Sequence, residues 1–225
     1  MPSIKKVHLA EVSVFLFLIA PSLVFSFFVV RQGGLGFVLT AFATILRDLG
    51  LVCLIVYFVW RNGEPVVDIG WTPQNWFCEV ILGMLLFVPF FYGAAAVGNG
   101  LRYIGLSSPK TPLPALVPGR SVSQSVLAFV LVAIIALAEE TIFRGYLILR
   151  MKAVSGSSLA AVLLSAVIFS FGHGYEGSAG VVTVGIMGLA FALVYVWRRS
   201  LVAAIVMHFL QDFVVILLLP LLQAR

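Results

Sequence analysis

Charge is what this chain has least of. Asp, Glu, Lys and Arg together make up 10% of its 225 residues, where soluble domains carry about 25%. With 62% hydrophobic residues, too little polar surface remains to cover a water-soluble globule, and lipid is the expected solvent. Cysteine is scarce as well: Cys53 and Cys78 are the only two. Both fall in or beside apolar runs, which excludes a disulfide framework and predicts small packing residues. A cleavable leader is not expected either. The apolar run after Lys5 and Lys6 ends at Phe27-Phe28-Val29-Val30-Arg31 without a small-residue cleavage site, so it reads as a permanent first span. No internal repeat and no soluble domain is visible, and residues 1–225 are expected to form one integral membrane domain.

What is present is a series of about seven apolar stretches, long enough or nearly so to cross a hydrocarbon core of about 30 Å. They run over Leu9–Val30, Leu35–Trp60, Phe77–Val97, Val122–Leu149, Ser157–Phe171, Ala179–Trp197 and Leu201–Leu222. The fold class expected is therefore all-α, a polytopic transmembrane helical bundle in the cell membrane. A polar connection at Asn62–Pro73 carries Trp71, with Trp76 close behind, at the level where indole rings favour the interface. A loop is expected at Arg102–Gly119, where Pro109, Pro112, Pro114 and Pro118 cluster.

The net charge of +5 would suggest anionic partners in a soluble protein. Here Lys and Arg sit mainly between the apolar runs, which points to orientation and away from nucleic acid. Lys5, Lys6, Arg61, Arg150, Lys152, Arg198 and Arg199 would share one side, against Arg31, Arg102, Lys110, Arg120 and Arg225 on the other. The N-terminus is thus expected in the cytoplasm and Arg225 opposite.

The chemistry concentrates in three places. In Ala138-Glu139-Glu140-Thr141-Ile142-Phe143-Arg144-Gly145, charges stand at membrane depth, where each costs about 2.5–3.5 kcal/mol even on a lenient insertion scale. Glu140 and Arg144 are spaced to pair across one helical turn, while Glu139 projects about 100° away. Ser165, Phe169 and His173 recur at intervals of four and would line one face of the fifth span. His208 and Asp212 repeat that spacing in the seventh. His8, beside the N-terminal lysines, reads as solvated. Arg47 and Asp48 lie mid-span; as sequence neighbours they do not share a helix face, and each is expected to need another partner. Gly185, Gly188 and Ala192 would let a second helix approach closely.

Counted from the basic ends of their spans at 1.5 Å per residue, Glu139 lies roughly 18 Å, His173 roughly 25 Å and His208 roughly 14 Å from one face. All three fall within the core. Mutual neutralisation between helices would explain one such pair, but buried ion pairs contribute little net stability, so a cluster on three spans calls for chemistry. A carboxylate beside a second carboxylate and a histidine suits general acid–base work. Glu139, His173, His208 and Asp212 would also supply zinc ligands, although no His-Glu-x-x-His is present and the depths differ by roughly 10 Å. A proton- or ion-coupled transporter is the competing class, since such side chains also build proton relays.

The pattern resembles the CAAX protease and bacteriocin-processing family (CPBP, or Abi), the type II CAAX prenyl endopeptidases. The first motif appears as Glu139-Glu140-Thr141-Ile142-Phe143-Arg144. The second appears as Phe169-Ser170-Phe171-Gly172-His173 and the third as His208-Phe209-Leu210-Gln211-Asp212. The motifs span Ala136 to Leu217, within a family-like catalytic region of about 121–222. The resemblance implies endopeptidase hydrolysis of membrane-anchored peptides, with Glu139 and His173 activating water. Glu140 and Arg144 would be a supporting pair and His208 the group that stabilises the oxyanion. The family's last motif takes Asn or Asp, and the better-studied eukaryotic-type members carry Asn where this chain has Asp212. An ionised Asp cannot donate to an oxyanion, so Asp212 is expected to orient His208 or help hold a metal. A mechanism without cofactor is expected, with zinc as the alternative. A non-catalytic immunity or scaffold member of the same family is a further alternative.

Overall fold

The computed structural model describes residues 4–28, 36–72, 74–108, 116–119 and 121–223 of the chain. Among them the protein is all-helical. Its helices are α1 (Ile4–Ser26), α2 (Phe37–Arg61), α3 (Trp76–Tyr103), α4 (Val122–Glu139), α5 (Ile148–Ser155), α6 (Ser158–Phe171), α7 (Gly177–Arg198), α8 (Val202–Asp212) and α9 (Leu219–Gln223). Short 3₁₀ turns occupy Val66–Ile69 and Gly174–Glu176, and π-helical turns join α4 to α5 (Glu140–Leu147) and α8 to α9 (Phe213–Leu218).

Five helical units among the described residues are long and apolar enough to cross a membrane: Ile4–Ser26, Phe37–Arg61, Trp76–Tyr103, Val122–Ser155 and Gly174–Arg198. Ser158–Phe171 and Val202–Leu218 are shorter apolar helices. The protein is a multi-pass integral membrane protein, and each apolar stretch of the sequence corresponds to one of these units. The ends differ where polar residues suggested a boundary. α1 begins at Ile4, before the lysines, and α3 continues to Tyr103, so Arg102 is helical. Interfacial Lys and Arg do not interrupt the i→i−4 ladder; only proline removes a donor from it. Pro73, Pro109, Pro112, Pro114, Arg31, Lys110, Arg120 and Arg225 lie outside the described residues.

Local chemistry starts the helices of the C-terminal region. Ser121 caps α4 by accepting from Gln124 N at 3.2 Å, and Ser157 caps α6 by accepting from Ala160 N at 3.2 Å. The core forms around the π-helical turn at Glu140–Leu147, all eight residues of which are buried. Against it pack Phe15 and Ile19 of α1, Ile55 and Phe58 of α2, Ala161 and Phe169 of α6, and Val184 of α7. Gly145 lets the loop after α2 come in close: a Cβ there would lie 2.5 Å from the Ile69 carbonyl oxygen. α3 instead presents Phe77, Leu85, Val88 and Tyr92 to the outside, as a lipid-facing helix does. Cys53 and Cys78 are exposed on such faces and unpaired; they are not the core residues the sequence suggested, because in a bilayer an apolar position need not point inward.

His8 corrects a second expectation. It is buried, with Nε2 3.5 Å from Glu64 Oε1. It stands beside an ion network in which Glu11 Oε1 accepts from Arg61 Nη2 at 2.7 Å and Asn62 Nδ2 at 2.9 Å. Arg150, fully buried on α5, donates from Nε to Glu11 Oε2 at 3.0 Å. It also donates from Nη1 to Glu64 Oε1 at 2.8 Å and from Nη2 to Glu64 Oε2 at 2.5 Å. This network ties α1 and the α2–α3 connection to α5. A second tie, Arg198 Nη2 to Glu79 Oε1 at 2.7 Å, joins α7 to α3.

Candidate active centre

The π-helical turn begins one residue after Glu139, and two side chains from other elements fill its surroundings. Arg144 is fully buried; Nη1 donates to Glu140 Oε1 at 2.9 Å, the expected i,i+4 pair. Nη2 donates to the Gly188 carbonyl at 3.2 Å. The guanidinium carbon stands 4.2 Å from the Phe169 ring centroid and 5.2 Å from that of Phe191, so aromatic faces complete the solvation of the charge. Gly188 is required here. A Cβ would meet Phe169 Cδ1 at 2.9 Å and Arg144 Nη2 at 3.2 Å, so the small-residue face of α7 serves both helix approach and the Arg144 contact. Ser165, on α6, donates to the Phe143 carbonyl at 2.6 Å and braces the π-helical turn against its neighbour.

From α8, His208 is brought against this group. Its ring stacks on Phe191 at 5.3 Å and meets Phe169 edge-on at 5.9 Å. Nδ1 lies 2.8 Å from Glu140 Oε1; an ionised carboxylate only accepts, so Nδ1 carries the proton of that bond. Nε2 then faces Glu139 Oε2 at 3.8 Å and Asp212 Oδ2 at 3.5 Å. Three carboxylates thus surround one imidazole, with Arg144 as the fixed counter-charge. The sequence left Glu139 free and gave Glu140 only Arg144 as a partner; in the structure both glutamates also approach His208.

His173 does not lie on α6. The helix ends at Phe171, and His173 sits in the turn that follows, with φ −109° and ψ 27°. The spacing of four therefore places Ser165 and Phe169 on one face but carries His173 past it; Gly172 and Gly174 flank the break, where helix propensity is poorest. Nδ1 of His173 is 3.1 Å from the Phe169 carbonyl and its ring 5.0 Å from the Phe169 ring. Both histidines thus touch Phe169, but His173 forms no ion pair with Glu139 among the described residues. No group of three or more His, Cys, Asp or Glu among them is placed to hold a metal ion.

Arg47 and Asp48 also differ from expectation. They pair with each other, Arg47 Nη2 lying 2.8 Å from Asp48 Oδ1, because a flexible arginine folds back along the helix where Cβ directions alone would separate the two. Both act electrostatically on Glu139, and α2 thereby contributes to the surroundings of the centre. Tyr175, two residues past His173, was not singled out by the sequence. Its ring is 5.7 Å from His173, and it feels the charges of Glu139, Asp212 and Arg47. Its signal was proximity to a motif in a turn, where phase cannot be read.

A helical membrane protein with a carboxylate–imidazole centre inside its bundle is the class these elements define. Residues 121–214 match the family described as type II CAAX prenyl endopeptidase Rce1-like. The family read from the three motifs is borne out over that segment. The matched stretch runs from the cap of α4 into the second π-helical turn and includes every motif residue. No curated protein and no solved structure matches the chain significantly.

Proposed function

We propose that the protein is an intramembrane endopeptidase that hydrolyses peptide bonds of membrane-anchored substrates. The observation that carries this reading is the approach of Glu139, Glu140 and Asp212 to the single imidazole of His208, at 3.8, 2.8 and 3.5 Å. Interhelical glue would need one carboxylate for that purpose. Glu139 is assigned as general base: it takes a proton from water as the water oxygen attacks the scissile carbonyl, and later returns it to the leaving amine. His173 holds that water from the turn after α6. His208, as the imidazolium, donates from Nδ1 to Glu140 and presents Nε2–H to the developing oxyanion. Asp212 keeps the ring aimed, and Arg144 holds Glu140 in place. No step is assigned to a metal.

The test compares peptide termini in membrane fractions from cells carrying the wild-type chain, a Glu139→Gln variant, or neither. New termini that require an intact Glu139 are expected; identical sets in all three would overturn the reading. Elemental analysis with chelation decides the metal-free part. One equivalent of zinc, with activity lost on chelation and restored by zinc, would move Glu139 or Asp212 into a ligand shell.

A further inference from the structure

At the end of the bundle where α1 begins and α2 ends, a cleft of about 340 Å³ opens between these helices, lined by Lys6, Val7, Ala10, Glu11, Val14, Phe58 and Arg61. That places it at the small end of the roughly 300–1,000 Å³ range of ligand pockets. Val7, Ala10 and Val14 recur at spacings of three and four and form one apolar wall along α1; Phe58 faces them from α2. The small side chain of Ala10 leaves the space. At the mouth stand two cations. Lys6 is exposed and has no ion-pair partner among the described residues. Arg61 commits one nitrogen, Nη2, to Glu11 and rests on the Phe58 ring at 5.5 Å, leaving Nε and Nη1 for another acceptor.

The carboxylates beneath are already paired. Glu11 is 3% exposed and accepts from Arg61, Asn62 and Arg150, and both oxygens of Glu64 accept from Arg150. With Lys6, Arg61 and Arg150 set against Glu11 and Glu64, the lysine, arginine and glutamate side chains at the cleft leave a surplus of one positive charge. It combines an apolar wall at lipid level with a positive mouth at the helix ends. We infer that the α1–α2 cleft binds an acidic phospholipid, its phosphate on Lys6 and Arg61 and its acyl chain along Val7, Ala10, Val14 and Phe58. Zwitterionic lipids carry the same phosphate but bring a compensating ammonium, so the surplus charge selects against them.

The experiment is thermal unfolding of the full chain in neutral detergent with added phosphatidylglycerol, phosphatidylcholine or inorganic phosphate, followed by native mass spectrometry of the retained lipid. Phosphatidylglycerol is expected to raise Tm by about 3 °C or more and to remain bound, with phosphatidylcholine and phosphate giving little. Lys6→Gln, at an exposed and unpaired position, should remove most of that difference, whereas Lys5→Gln, which does not line the cleft, should keep it. Equal shifts with both lipids would overturn the inference. So would an equal shift with phosphate alone, or equal losses in the two lysine variants. None of these readings depends on proteolysis.

Discussion

Two buried ion clusters sit at different levels of the same helical unit, Val122–Ser155, and their bonding differs. Around Arg150 the carboxylates are saturated: both oxygens of Glu11 and of Glu64 accept from Arg61, Asn62 or Arg150. Around Arg144 they are not. Oε2 of Glu139, Oε2 of Glu140 and Nε of Arg144 are buried without a hydrogen-bond partner in the protein. Carboxylates bonded at both oxygens serve to fix α1 and the α2–α3 connection onto α5, although His8 Nε2 beside them is buried without a hydrogen-bond partner. An unsaturated cluster bears a desolvation cost of about 1–3 kcal/mol per neutral group, more per charge, and keeps lone pairs available. Burial alone does not tell these two clusters apart, whereas the bonding of their carboxylates does.

Removing one member from each cluster tests this comparison most directly. Arg144→Ala removes the fixed counter-charge of the fully buried Glu140, leaving it His208 as partner, and the expected outcome is a loss of about 3–5 kcal/mol together with loss of cleavage, read by thermal unfolding and by product formation. Arg150→Met should also destabilise, near the lower end of that range, because Glu64 is 21% exposed and water can take over some of its bonds. Its folded fraction should cleave at the wild-type rate. A fall in specific activity equal to that of Arg144→Ala would show that the two clusters are one functional unit.

Glu139→Gln sharpens the contrast from the chemical side. It removes a base while leaving the packing, so cleavage should fall by about 100-fold or more with Tm nearly unchanged. Gly188→Ala is smaller. The added methyl must displace Phe169 or Arg144, at an expected cost of about 1–3 kcal/mol and a Tm lower by about 2–4 °C for each kcal/mol. The smallest effect concerns Glu64. Burial would raise its carboxyl, but the hydrogen bond and charge of Arg150, with His8 and Asn62, hold it below the usual 4.5. Its folded value is thus lower than its unfolded one, so its contribution is complete above about pH 4.5 and is lost as pH falls further. Tm should fall more steeply with acid in the wild type than in Glu64→Gln.

The two clusters were not equally legible in the sequence. Glu139, Glu140, Arg144, His208 and Asp212 were readable because intramembrane charges are rare and their i,i+4 spacings are local. Glu11 was not: its partner Arg150 lies 139 residues away, and no local period encodes such a pairing. His173 was found by type but misplaced, since phase counting assumes a helix that continues, and α6 stops at Phe171. The rough depth estimates set His173 and His208 about 10 Å apart. Phe169, large enough to touch both rings, is what relates them. The spans were legible from hydropathy, while their ends were not, because interfacial cations mark a water boundary and not a helix boundary.

The π-helical turn at Glu140–Leu147 changes the phase of the helix that carries both clusters. Each residue added to an α-helix advances its azimuth by about 100°, and a π-helical turn holds back part of that advance, as a single inserted residue does. Glu139 lies just upstream of this offset, Glu140 at its first residue and Arg150 downstream of it. The turn therefore works as a phase converter, letting one rod address α8 with its first half and α1 with its second. Deleting one residue between Arg144 and Leu147 would restore uniform pitch, yet it would rotate Arg150 away from Glu11 and Glu64 while leaving the Glu140–Arg144 pair in phase.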